Sequence, residues 1–137
     1  MGNLWQSLRR PFFVLAPMED VTDTVYRRLI RSWSRRWESE GPDVMFTEFT
    51  RVDRAIQAWE RELRAGQTDV PPSDRPGQLK RLDRLVFSPE ERPLVAQLWG
   101  TRPEEFQRAA RAVEKLGFDG IDVNMGCPAR KIRKAGA

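Results

Sequence analysis

Short apolar runs alternate with amphipathic stretches along this chain, and proline, glycine or a polar cluster ends each run. Phe12 to Ala16 (FFVLA), closed by Pro17, has the form of a strand buried on both faces. Val44 to Thr47 (VMFT) predicts a second buried strand, and Leu94 to Trp99 (LVAQLW) and Gly120 to Asn124 (GIDVN) predict a third and a fourth strand.

Helical periodicity fills the intervals. Thr22 or Asp23 is placed to cap a helix in which Val25, Leu29, Trp33 and Trp37 recur every four residues, giving an apolar stripe opposite an Arg-rich face. Gly41-Pro42 ends it. Thr50 with Asp53 resembles a capping box opening a helix with Val52, Ile56, Trp59 and Leu63 inward. Thr101 with Glu104 repeats the signal before Phe106, Ala109, Ala110, Val113 and Leu116, and Gly117 suits the position just past that helix. Gly66 to Leu85, with Pro71-Pro72 and Arg75-Pro76-Gly77, reads as a long mobile loop, and 65–92 as an insertion around it.

Four β/α alternations predict an α/β fold with parallel strands and outer helices, as half a barrel or as an open doubly wound sheet. Pattern alone leaves both open. A complete (β/α)₈ barrel takes about 250 residues, and this chain has 137. Four strands also leave the first and last edges unpaired. The expectation from length and edges is therefore a fragment of a longer parallel α/β fold, poorly soluble alone.

Composition narrows the chemistry. Apolar residues at 39% with five Trp predict a folded core, and 32% charged residues predict a soluble one. No run approaches the length of a membrane span, and Met1 to Pro11 lacks the apolar centre of a secretory signal, so a cytoplasmic protein is expected. One Cys excludes an intramolecular disulfide. With no His, the usual zinc sites and the Ser/His or Cys/His nucleophiles are missing, and no metal is expected. A formal charge of +4 is satisfied by a solvated mixed-charge surface and permits nucleic acid without requiring it.

In parallel α/β folds the reactive groups project from the carboxyl ends of the strands. The chemically distinctive residues follow that rule: Pro17-Met18-Glu19-Asp20 after the first strand, Glu48 after the second, Gln97 late in the third, Asn124 and Cys127 after the fourth.

Four segments in order carry a family resemblance: Ala16-Pro17-Met18 with Val21-Thr22-Asp23, Phe46-Thr47-Glu48-Phe49, Gln97-Leu98-Trp99-Gly100, and Asp122-Val123-Asn124-Met125-Gly126-Cys127-Pro128. Together they resemble the tRNA-dihydrouridine synthases over nearly the whole chain except Gly66 to Arg92. The Asn-x-Gly-Cys-Pro element is the most specific. The resemblance implies that the chain is the N-terminal half of a TIM-barrel catalytic domain, inactive alone, with a helical RNA-binding domain to follow, FMN as cofactor, NADPH as its reductant, tRNA as partner, and a monomeric full-length protein. It places the remaining strands, the flavin phosphate site and a further Lys and His in downstream sequence.

On that resemblance, hydride reaches C6 of a tRNA uridine and the resulting enolate needs a proton at C5. An ordinary thiol, with pKa about 8.5, is mostly protonated at neutral pH and can donate it, which makes Cys127 the candidate acid. Its plain alternative is a small buried hydrophobe. Ala16, Pro17 and Met18 are candidates for the flavin face, or else a strand end with a core Met. Gln97 offers a donor and an acceptor to a flavin edge. Asn124 and Glu48 are candidate substrate contacts, or else a turn residue and an anchor for backbone N–H groups. Arg130 and Lys131 begin a basic tail suited to phosphates around an extruded base, or to a solvated helix start. Two other functions remain open: an FMN-dependent barrel reductase of a small pyrimidine, and a non-catalytic RNA-binding module.

Overall fold

The computed structural model describes residues 3–36, 41–64, 84–128, 130 and 134. Five parallel strands form one sheet: β1 (Val14–Leu15), β2 (Val44–Phe46), β3 (Thr50–Arg51), β4 (Leu94–Trp99) and β5 (Gly120–Val123). A short helix α1 (Leu4–Ser7) precedes them, and α2 (Thr24–Arg36), α3 (Val52–Arg64) and α4 (Pro103–Lys115) form the longer helices, with a 3₁₀ turn at Pro89–Glu91.

The extra strand is a continuation. Met45 and Phe46 pair with Leu94 and Val95, and Thr50 and Arg51 pair with Leu98 and Trp99. From Met45 to Thr50 is five steps against four from Leu94 to Leu98, so β2 and β3 are one line interrupted by a bulge. Four lines then lie in chain order: β1, β2/β3, β4, β5. An open doubly wound sheet reverses its order at a switch point. No reversal occurs among the described strands, and the arrangement is that of half a TIM barrel.

The core lies on the helical side of the sheet. Met45, Leu94, Ala96 and Leu98 pack with Val52, Ala55 and Ala58 of α3 and with Ala109, Val113 and Leu116 of α4. At Gly100 an added Cβ would lie 2.7 Å from Val52 Cγ2, so only glycine lets the chain leave β4 this close to α3. Gly117, at φ +92°, closes α4 in a Schellman motif: its N–H donates to the Glu114 carbonyl and that of Phe118 to the Val113 carbonyl. Leu85, Val86 and Phe87, at the downstream end of the expected insertion, are buried, and the Phe87 and Phe118 rings lie 4.7 Å apart. The rest of that expected loop, residues 65–83, lies outside the described residues.

Several local expectations are corrected. The first strand is not buried on both faces: Phe13 is 72% exposed and Val14 is also exposed, because β1 forms an edge of the sheet. In α2 the inward face is the basic one. Arg27 and Arg31 are buried, whereas Val25, Leu29 and Trp33 are 68%, 52% and 60% exposed. Trp37, the fourth residue of that stripe, lies outside the described residues. The Arg27 guanidinium reaches Glu91 Oε2 at 2.6 Å and also donates to the carbonyls of Thr22 and Val86. Arg31 donates to the carbonyls of Glu90, Pro42 and Arg92. Buried guanidinium groups with this many acceptors hold the helix on that side.

Neither expected capping box forms. Thr50 belongs to β3, and its buried hydroxyl has no hydrogen-bond partner among the described groups. Asp53 is held by Arg51 instead. Leu63, expected inward, is 49% exposed, while Ile56 and Trp59 are partly buried against the core. Helix α4 starts at Pro103, whose missing N–H suits a first turn, with Arg102 at the cap position and no side-chain cap.

Candidate functional site

A chain of hydrogen bonds joins all four strand lines at their carboxyl ends. It begins after β1, where the Asp20 N–H donates to the Glu48 carboxylate. Asp20 adopts φ +58°, a left-handed conformation that aims this N–H across to the next loop. Thr47, just after β2, donates its hydroxyl to the Glu48 carbonyl at 2.9 Å and accepts the Gln97 N–H at 3.1 Å. In β4 the Gln97 side chain donates through Nε2 to Asp122 Oδ2 at 2.6 Å, and its Oε1 accepts from Asn124 Nδ2 at 3.2 Å. Asn124 Oδ1 finally accepts the N–H groups of Gly126 and Cys127, each at 3.1 Å.

Local structure explains the last step. Asn124 continues the β5 ladder, its N–H donating to the Leu98 carbonyl at 2.8 Å, so its side chain is anchored while the following residues turn away. An Asn oxygen accepting the N–H groups two and three residues on is an Asx-type turn. The Cys127 thiol is free and half-buried at this turn.

The loop after β1 has a second restraint. Arg84 donates to both carboxylate oxygens of Glu19, at 2.6 and 2.7 Å, and to the Phe49 carbonyl at 3.0 Å. Its guanidinium lies 5.7 Å from the Phe49 ring centroid. The Glu19 carboxylate, first by hydrogen bonding and then by its charge, raises the Arg84 guanidinium above its ordinary range against the opposing effect of burial. Met18 is fixed from the other side, its N–H donating to Thr22 Oγ1 and its carbonyl accepting from the Thr22 hydroxyl.

Glu48, Gln97, Asn124 and Cys127 are thus brought together, with Met18 two residues from the Asp20 end of the same chain of contacts. Glu48 is buried and binds a backbone N–H, which is the anchoring role foreseen as the alternative to substrate contact. Ala16 is exposed and Pro17 half-buried at the end of β1. Arg130 is exposed beyond Pro128, and Lys131 lies outside the described residues.

Sequence reasoning missed Asp122 and Arg84. Asp122 was traceable, since two-residue alternation places it on the same face of β5 as Asn124. Arg84 carried no signal, because it stands within a segment read as loop.

The group fits a flat heteroaromatic ligand such as a flavin ring. Gln97 retains one Nε2–H and one Oε1 lone pair beyond its two side-chain bonds. Met18 and Met125 leave apolar surface exposed at the same strand ends, Met125 at 92%. Among the described residues no cluster of His, Cys, Asp and Glu could hold a metal ion, and no helix is long and apolar enough to cross a membrane.

A family model described as dihydrouridine synthase (Dus) matches residues 14–137. The chain is 40% identical over 134 residues to the probable tRNA-dihydrouridine synthase of Staphylococcus aureus (strain COL), covering 98% of this chain and 34% of that protein. It is 39% identical over 130 residues to the probable tRNA-dihydrouridine synthase 2 of Bacillus subtilis (strain 168), covering 95% of this chain and 33% of that one. The chain spans about a third of the length of these curated relatives.

Proposed function

The chain belongs to the dihydrouridine synthase family, and from that premise we propose that it supplies the first half of a catalytic barrel that reduces uridine to 5,6-dihydrouridine in tRNA. The observation that carries this reading is the tie from Gln97 through Asn124 to the backbone of Cys127, which presents the one thiol at the rim of the sheet. Relatives that bear the name tRNA-dihydrouridine synthase support it.

FMN, once reduced by NADPH, supplies hydride for C6 of the uracil ring when bound. Ala16, Pro17 and Met18 would hold its apolar face, and Gln97 would meet its polar edge with the donor and acceptor left over from Asp122 and Asn124. Cys127 gives the proton that C5 needs and regains one from water, with Asn124 holding its loop in place. Glu48 steadies the Met18 loop through Asp20. Arg130 and Lys131 bind phosphates beside the base, which leaves the stack to reach the site. The full-length protein that contains this half-barrel acts on tRNA in the cytoplasm as a monomer.

A chimera tests this reading, with residues 14–137 replacing the matching segment of the Bacillus subtilis relative. It is expected to convert uridine to dihydrouridine in unmodified tRNA with NADPH, and Cys127→Ser is expected to lower the rate by about 10²-fold or more. Turnover of free uracil instead of tRNA would favour a small-pyrimidine reductase. RNA binding without flavin would favour a binding module.

A further inference from the structure

Asp122 stands outside the roles just assigned, yet it is the acceptor that fixes the Gln97 end of the contact chain. In the sheet Asp122 is the register partner of Gln97, so the two side chains share a face of adjacent parallel strands. A carboxylate only accepts hydrogen bonds, and the Gln97 end turned toward it at 2.6 Å is therefore Nε2. That choice leaves Oε1 to accept from Asn124 Nδ2, which in turn leaves Asn124 Oδ1 facing the N–H groups of Gly126 and Cys127.

Each carboxamide could be reversed without changing its shape. The acceptor at Asp122 and the two backbone donors at the Cys127 turn select the same arrangement of the pair from opposite ends. If Gln97 reversed, its NH₂ would face the Asn124 NH₂. Asn124 would then have to reverse as well, turning its own NH₂ onto two backbone donors and releasing the Cys127 turn. Gln97 is 8% exposed, so water is poorly placed to bridge a reversed amide.

We propose that Asp122 is a positioning residue that orients the Cys127 loop through Gln97 and Asn124. This deepens the catalytic reading and rests on it only for the consequence to the reaction, since the relay itself is a property of the sheet.

The test uses the full chain labelled with ¹⁵N, comparing Asp122→Ala and Asp122→Asn with the parent by the side-chain amide resonances of Gln97 and Asn124 and by the alkylation rate of Cys127 with iodoacetamide. Asp122→Ala is expected to move both pairs of amide resonances and to speed alkylation by about threefold or more as the turn loosens. Asp122→Asn keeps an acceptor oxygen for Gln97 Nε2 and is expected to restore the parent rate to within about twofold. In a Gln97→Leu background the Asp122→Ala change is expected to add nothing, because the relay is already cut.

Movement of the Gln97 resonances alone, alkylation unchanged in Asp122→Ala, or an additive effect in the Gln97→Leu background would each overturn the proposal. If Asp122→Ala does not fold, Asp122→Leu, which keeps the bulk of the side chain and removes the acceptor, decides it: the Asn124 resonances must move, and their staying in place would overturn the proposal. Dihydrouridine formation by the chimera judges the catalytic reading separately, and its failure leaves the relay result standing.

Discussion

The guanidinium of Arg27 meets the carboxylate of Glu91 at 2.6 Å with neither side chain exposed to solvent. Glu91 also accepts from the Thr24 hydroxyl and the Ser88 N–H, so both of its oxygens are engaged. Removing one partner of a buried pair strands the other charge, at a cost of about 3–5 kcal/mol. Glu91→Ala is accordingly expected to lower unfolding stability by about that amount in urea titration. A loss below about 1 kcal/mol would show that water or another group takes over the guanidinium.

This pair also explains why α2 was misread. The spacing of Val25, Leu29 and Trp33 is a sound local signal for an apolar face. What overrides it is Glu91, 64 residues away, together with carbonyls that only the folded chain assembles around Arg27 and Arg31. No window along α2 contains that information. Strand positions were legible because an apolar run between breakers is a local property. Thr50 failed as a cap because pairing with β4 claims its backbone, which is again a long-range event.

The exposed stripe has its own consequence. Val25, Leu29 and Trp33 lie on one side of α2, with Phe13 and Val14 exposed on the sheet edge. Contiguous apolar surface favours self-association in water. The double variant Leu29→Glu with Trp33→Glu is expected to raise the concentration at which the chain begins to scatter light, with its thermal midpoint unchanged within a few degrees, as for exposed sites generally. A large fall in that midpoint would place these side chains in the core.

At the rim, legibility follows the same division. Asn124 and Cys127 are three residues apart, so their contact was visible as a turn. Gln97 and Asp122 meet only because β4 and β5 pair in register, 25 residues apart. The two residues that sequence reasoning left out, Asp122 and Arg84, both act through partners far along the chain.

Arg84 ties the Met18 loop to the loop after β2 through Glu19 and the Phe49 carbonyl. Arg84→Met keeps much of the apolar stem and removes those donors. The Asp20 N–H, which donates to Glu48, is expected to exchange with deuterium about tenfold faster or more in that variant, because the loop opens without global unfolding. Amides of β4 are expected to keep their protection. Equal acceleration at both places would mean that Arg84 supports the whole fold and not this loop.

Acid response follows from two surface carboxylates. Asp53 is held below its ordinary range first by hydrogen bonding from Arg51 and then by that charge, with burial opposing. Glu90 is likewise lowered, chiefly by hydrogen bonding from Arg28. A carboxylate whose folded value lies below its unfolded one binds fewer protons when folded, so it contributes stability above about pH 4 and loses it as pH falls through the folded value. Both groups are partly solvated, with side chains 33% and 43% exposed, which keeps the contribution small. The double variant Asp53→Asn with Glu90→Gln is therefore expected to be slightly less stable than the parent at neutral pH and to converge with it as pH falls below the ordinary carboxylate range. Urea midpoints at about pH 7, 4 and 2.5 measure this directly. A gap between the two proteins that stays constant across that range would show that neither ion pair is coupled to folding.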